Sequence, residues 1–244
     1  MTCPGVPALR SVRLPGVTLA GFSLRGLLLW LWLATVAAAA MPEYVRQALG
    51  IFSPEVQPGW AYTLTTERDG RQITERYDPS KPPAEQWSLQ LSAGHPPTQD
   101  ELDKYARYKA SQAPGAMQAT FQKSDIEPGS VELVHEDAEQ AELTCAFRAV
   151  SANADKMLGH LVLRLIVGKR QPHVERYILE LRKPYSPVLG VQMRELVVTM
   201  DFTQPGTGRP SLPERSSSHF TGRIFFVPVE ENLRCSYSAF ARVP

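Results

Sequence analysis

From about residue 120 to the C-terminus the sequence alternates apolar and polar side chains with a period of two. In "RELVVTMDF", Leu196, Val198, Met200 and Phe202 fall on one side. In "RYILEL" the same side holds Tyr177, Leu179 and Leu181, and in "HFTGRIFF" it holds Phe220, Gly222, Ile224 and Phe226. Period two is the mark of a strand with one buried face. It predicts strands near 131–136, 141–149, 160–168, 173–183, 191–203, 218–228 and 233–242. "VEEN", residues 229–232, reads as the turn between the last two, and residues 204–216 as an exposed Pro/Gly/Ser loop. Gly222 inside a strand predicts a bend or bulge.

The first third of the chain adds three strands. Trp60, Tyr62 and Leu64 alternate with Ala61, Thr63 and Thr65. Asp69-Gly70 follows, the strongest two-residue hairpin signal. Residues 71–77 return, "DPSKPP" interrupts the pairing because proline donates nothing to a ladder, and 87–91 form a short third strand. Thr98 then opens a helix, "TQDELDKYARYKAS". Thr98 and Glu101 have capping-box spacing, and the early acids and late bases suit the helix dipole. Its apolar stripe is thin, which places it on a surface or across an opening. A shorter helix is expected over 43–49, ended by Gly50, and a turn of helix over 153–158.

About ten sequential strands with short links imply an antiparallel meander. A sheet that wide curls or closes. The expected fold is mainly β: a strongly curved antiparallel sheet or incomplete β-barrel, with one longer helix near its open mouth. No internal repeat points to a propeller or solenoid.

Residues 1–26 carry three arginines and no acid, and an apolar run, "LLLWLWLATVAAAAM", follows. A basic start, a short apolar run and a small-residue end at Ala38-Ala39-Ala40 mark a secretory signal peptide. The reading is a signal peptide over 1–40, a single domain over 41–244, and a periplasmic protein with no stable transmembrane anchor after cleavage. Export permits a disulfide, so a Cys145–Cys235 bridge is an alternative to two buried thiols. The formal net charge of +1 over 244 residues argues against nucleic acid as a partner.

The stretch "GWAYTLTTERDGRQITERYDPSKPPAEQWSL", followed by "PPTQDELDKY", resembles a group of uncharacterised exported proteins of gammaproteobacteria. The pattern is Gly59-Trp60, Glu75 to Ser80, Trp87, Pro97-Thr98 and Glu101-Leu102, with a looser likeness in "GRIFFVPVEENLRCSYSAF". In architecture the reading also resembles the outer-membrane lipoprotein carriers of the LolA/LolB type. Those are unclosed antiparallel barrels with helices over an apolar interior that holds acyl chains. That second resemblance rests on strand count and helix placement, so it carries no residue across.

No catalytic or metal motif stands out. The five histidines form no HxxH, HxH or HExxH. No serine sits in a GxSxG elbow. "RSSSH" reads as a polar loop entering a strand. No residue is assigned to catalysis or to a metal, and no cofactor is expected. The aromatic and apolar strand positions are the suggestive set. Trp60, Tyr62, Trp87, Tyr177, Leu179, Met200, Phe202 and Phe226 are candidates to line an apolar concavity, although a packed core gives the same alternation. The leading expectation is a non-enzymatic binder or carrier of a lipid, acyl chain or acylated protein. The alternatives are a module that docks another envelope protein, and a hydrolase whose groups converge only in three dimensions.

Overall fold

The computed structural model describes residues 41–111, 121–148 and 157–243. Residues 1–40, where a signal peptide is expected, and most of the expected 153–158 turn lie outside them. The strands and helices below all belong to one unit, Pro42–Pro244.

Ten strands form one antiparallel sheet: β1 (Trp60–Arg68), β2 (Arg71–Tyr77), β3 (Trp87–Ser92), β4 (Glu132–Glu136), β5 (Gln140–Cys145), β6 (Leu161–Gly168), β7 (His173–Leu181), β8 (Val191–Phe202), β9 (Pro213–Ile224) and β10 (Val227–Arg242). Their order is β3-β2-β1-β10-β9-β8-β7-β6-β5-β4. The chain therefore meanders from β4 to β10, and β10 pairs with β1 to bring in the first three strands. β3 and β4 are the two edges, and the sheet is not closed. Among the described residues two helices accompany it, α1 (Glu43–Ile51) and α2 (Gln99–Ser111), with a few short 3-10 turns.

Local chemistry explains most boundaries. Asp69 and Gly70 both have positive φ, 51° and 73°, as a type I′ turn between right-twisted strands requires. At α2 the Thr98 backbone N–H donates to Glu101 Oε2 at 2.8 Å, and the Glu101 N–H donates to Thr98 Oγ1 at 3.4 Å. The reciprocal capping box thus forms. At Gly222 an added Cβ would run into the Gln192 carbonyl oxygen of β8. That close approach lies beside the register shift between Met193 and Glu195, so the glycine marks an irregularity as expected.

Several boundaries differ from expectation: α1 runs through Gly50 to Ile51, and β5 ends at Cys145 and not near 149. β9 begins at Pro213, so residues 213–216 are strand and not loop. The last hairpin turns at Phe225-Phe226, and "VEEN" lies within β10. Neither phenylalanine is a turn former, so nothing in the local sequence marks that turn. The cross-strand register from Ile224↔Val227 to Ser236↔Arg215 decides it.

The core lies on one face of the sheet. Leu161, Leu163, Leu165 and Leu179 are buried to 1% exposure or less, each contributing about 1.5–3 kcal/mol of transfer free energy. α1 packs against β6 and β7 with Val45 and Ala48 fully buried. The opposite face is polar and laced with cross-strand ion pairs. Arg164 reaches Glu142 at 3.2 Å and Glu180 at 2.5 Å, and Arg176 reaches Asp201 at 2.5 Å.

Candidate binding face

Residues directly opposite in adjacent strands share a face. The pairing register therefore traces a single row across all ten strands: Leu133, Leu143, Leu165, Tyr177, Met200, Ser216, Cys235, Thr66, Ile73 and Ser92. From β4 to β8 the row is bulky and apolar. On β9, β10 and β1 it drops to Ser216, Cys235 and Thr66. In the neighbouring row Leu163, Leu179 and Val198 meet a small side chain on β9 alone, Ser218, beyond which Leu233 of β10 is bulky again.

Two aromatic clusters flank this strip of small side chains. On the β7–β8 side, Phe52 lies 5.7 Å from Phe202 and 6.5 Å from Tyr177, and Phe121 closes on Tyr177 at 5.3 Å between ring centroids. On the β1–β3 side, Tyr62 meets Tyr77, Trp87, Tyr237 and Phe240 at 5.2–5.9 Å. Edge-on and tilted contacts of this kind add to the area term. Burial pushes the Tyr237 hydroxyl up to about 12, which keeps it neutral.

The strip itself is only partly covered. Thr66, Ser216, Ser218 and Cys235 are half-buried, whereas Tyr177, Leu179 and Met200 beside them are buried. Its polar atoms are matched locally: Thr66 Oγ1 lies 3.8 Å from Cys235 Sγ. The result is a low floor of small, weakly polar groups between tall aromatic walls. Chemically it suits a narrow apolar chain that needs van der Waals contact and few hydrogen bonds.

α2 lies over the β2–β3 end of the same face. Tyr105 Oη donates to the buried Glu75 carboxylate at 2.6 Å. Lys109 Nζ lies 2.7 Å from the same oxygen and 4.3 Å over the Trp87 ring. Ser92 Oγ donates to Glu101 at 2.6 Å. No α2 residue is buried, so polar tethers and not an apolar stripe hold this helix.

Of the sequence-selected residues, Tyr62, Trp87, Tyr177, Leu179, Met200 and Phe202 fall on this face. Trp60 is half-buried at the start of β1 and, among the described residues, belongs to neither aromatic cluster. Phe226 is a correction: it sits in the β9–β10 turn, 96% exposed, because β9 ends at Ile224, four residues short of residue 228, to which alternation carries the strand. The central small residues Ser216 and Ser218 were missed. Extending the Phe220-Gly222-Ile224 phase backwards finds them, but "RSSSH" reads as loop by composition.

Cys145 and Cys235 are free thiols. They sit on β5 and β10, five strand steps apart, which is about 24 Å along the sheet at ~4.8 Å per step. Burial pushes the Cys145 thiol up to about 12 and also raises that of Cys235, so neither is poised as a nucleophile.

Strand alternation sends Ser218 and His219 to opposite faces, which separates the serine from its neighbouring base. His219 pairs with Asn232 at 2.8 Å, His160 stacks on Tyr185 at 3.9 Å, and His173 is buried against the Gln171 carbonyl at 2.7 Å. Among the described residues no group of three or more His, Cys, Asp or Glu could hold a metal ion. A groove of about 280 Å3 lies mainly on the polar face, where Glu67 and Asp201 oppose Arg215 and Arg234. Ser216 and Cys235 of the strip also contribute to its lining, but its walls are mostly charged and polar.

No protein-family model matches the chain, no curated protein matches it, and no solved structure matches its fold.

Proposed function

We propose that this chain is a non-enzymatic exported protein that binds or carries a hydrophobic ligand, a lipid or acyl chain, along the apolar face of its sheet. The strip of small residues over β9, β10 and β1 between two aromatic clusters carries this reading. In it the sheet is strongly curved, an incomplete barrel with its gap between β3 and β4. In this reading α2 stands at the open mouth, held there by its polar tethers to Glu75 and Ser92. The same job is what the expected architecture's resemblance to carriers of the LolA/LolB type implies. The N-terminal segment supports export to the periplasm, and no described helix is long and apolar enough to cross a membrane.

Native mass spectrometry of protein purified from periplasm, with solvent extraction, tests this reading. The expected result is a co-purifying lipid or acylated species. A clean unliganded mass that stays unchanged after incubation with envelope lipids overturns it.

One observation favours a second reading, docking of another envelope protein. All five residues of edge strand β4 are exposed, with Val134 at 60%, and an edge strand offers unpaired backbone to an incoming strand. A clean unliganded mass, together with one envelope protein cross-linked from position 134 in stoichiometric yield, would select it.

A further inference from the structure

The least expected surface lies where the β9–β10 hairpin meets the β7–β8 loop. Leu189 is 99% exposed, Phe226 96% and Phe225 71%, and Val188, Ile224 and Val227 are exposed beside them. Apolar side chains clustered on a protruding tip mark an interaction surface.

The tip is also held at a conformational cost. Phe225 has a φ of 55°, the left-handed region that a bulky side chain normally avoids. A two-residue turn with positive φ at its first position favours glycine there. The sequence supplies phenylalanine instead. Gly190, at a φ of 84°, makes room: an added Cβ would stand 2.8 Å from the Phe225 ring. The Phe225 N–H donates to the Gly190 carbonyl. Phe225 is thereby braced against the neighbouring loop, and Phe226 points free. Strain kept at an exposed apolar tip signals use.

Charge identifies the occupant. Residues 182–194 and 221–229 together contain Arg182, Lys183, Arg194 and Arg223 and no acid. All four are exposed, and none joins an ion pair among the described residues. The nearest acids, Glu195 and Glu230, flank Thr221, three residues back from Ile224. Arg223 adjoins Ile224 at the hairpin end, Arg194 lies three residues along β8 from Val191, and Arg182 and Lys183 open the β7–β8 loop. An apolar wedge with these cations behind it complements an anionic phospholipid surface, whose acyl boundary takes the wedge and whose phosphates take the cations.

We propose that this tip is a membrane-docking element that inserts Phe226, Phe225 and Leu189 into an anionic bilayer surface. It goes beyond the carrier reading and does not require it.

Flotation with vesicles of phosphatidylglycerol and phosphatidylethanolamine, against vesicles of phosphatidylcholine, tests the proposal. The expected wild-type result is at least tenfold tighter binding to the anionic vesicles, weakening about fivefold for each cation removed. The key variant is Phe225→Gly with Phe226→Ser. It installs the residues such a turn prefers, so thermal stability should hold or rise while vesicle binding falls at least tenfold. Variant and wild type share one N-terminus, so the apolar segment there contributes equally to both. Phe226→Trp should shift its emission to the blue and be quenched by brominated lipid. Unchanged flotation of the Gly/Ser variant overturns the proposal, and so does equal binding to neutral vesicles. Tip-dependent dimerisation without flotation overturns it in favour of a second copy. Flotation by a protein that never retains lipid in native mass spectrometry would leave this element standing and remove the carrier reading alone.

Discussion

Lys109 Nζ lies 2.7 Å from a carboxylate oxygen of Glu75, a residue 5% exposed in the apolar face of the sheet. Glu75 stands between Leu64 and Leu89 in its cross-strand row. A carboxylate there is tolerated because α2 brings both a hydroxyl and an ammonium to it.

Removing one partner strands the other. Lys109→Met should destabilise the protein by about 2–3 kcal/mol, below the ~3–5 kcal/mol of a fully buried pair because water reaches the ammonium. Adding Glu75→Gln should restore most of the loss. Urea unfolding of the two single variants and the double closes the cycle, with an interaction energy of at least ~1 kcal/mol expected. Additive losses would mean that the pair does not hold the helix.

If the strip over β9, β10 and β1 is room for a ligand, filling it should block binding at little cost to stability. Ser216→Leu with Ser218→Leu is expected to weaken displacement of a fluorescent fatty acid at least tenfold and to change stability by less than ~1 kcal/mol. In a packed core the same insertion costs about 1–3 kcal/mol. Thiol labelling reads the same strip in the wild type. Cys145, 3% exposed with its thiol raised to about 12, should resist labelling throughout. Half-buried Cys235 should label slowly and be protected at least threefold by ligand. Equal Cys235 rates with and without ligand would place the ligand elsewhere.

Glu101 gives the helix a pH dependence. Hydrogen bonds from Ser92 and from the Thr98 hydroxyl and backbone hold its carboxyl down to about 2, against an ordinary value of 4.5. Its folded value lies below its unfolded one, so its contribution is present above about pH 4.5 and is lost as pH falls toward 2. Hydrogen exchange along residues 99–111 should therefore rise between pH 4.5 and 2 beyond the intrinsic trend. Glu101→Gln should remove that excess. An excess that persists in the variant would assign it to another carboxylate.

Much of this protein was written in its sequence alone. Period-two alternation specified the strands and which of their side chains share a face, because a strand's side chains take opposite sides in turn. Asp69-Gly70 determined a turn, and Thr98 with Glu101 a helix start, through purely local bonds. Tertiary structure decided the rest. That β10 pairs with β1, leaving β3 and β4 as edges, depends on partners separated by more than a hundred residues. That the last hairpin turns at Phe225-Phe226 depends on register with β9 and bracing by Gly190, with no turn former to announce it. The row from Leu133 to Ser92 draws one residue from each of ten strands. Its change from bulky to small at Ser216, Cys235 and Thr66 exists only once strand pairing sets distant residues side by side.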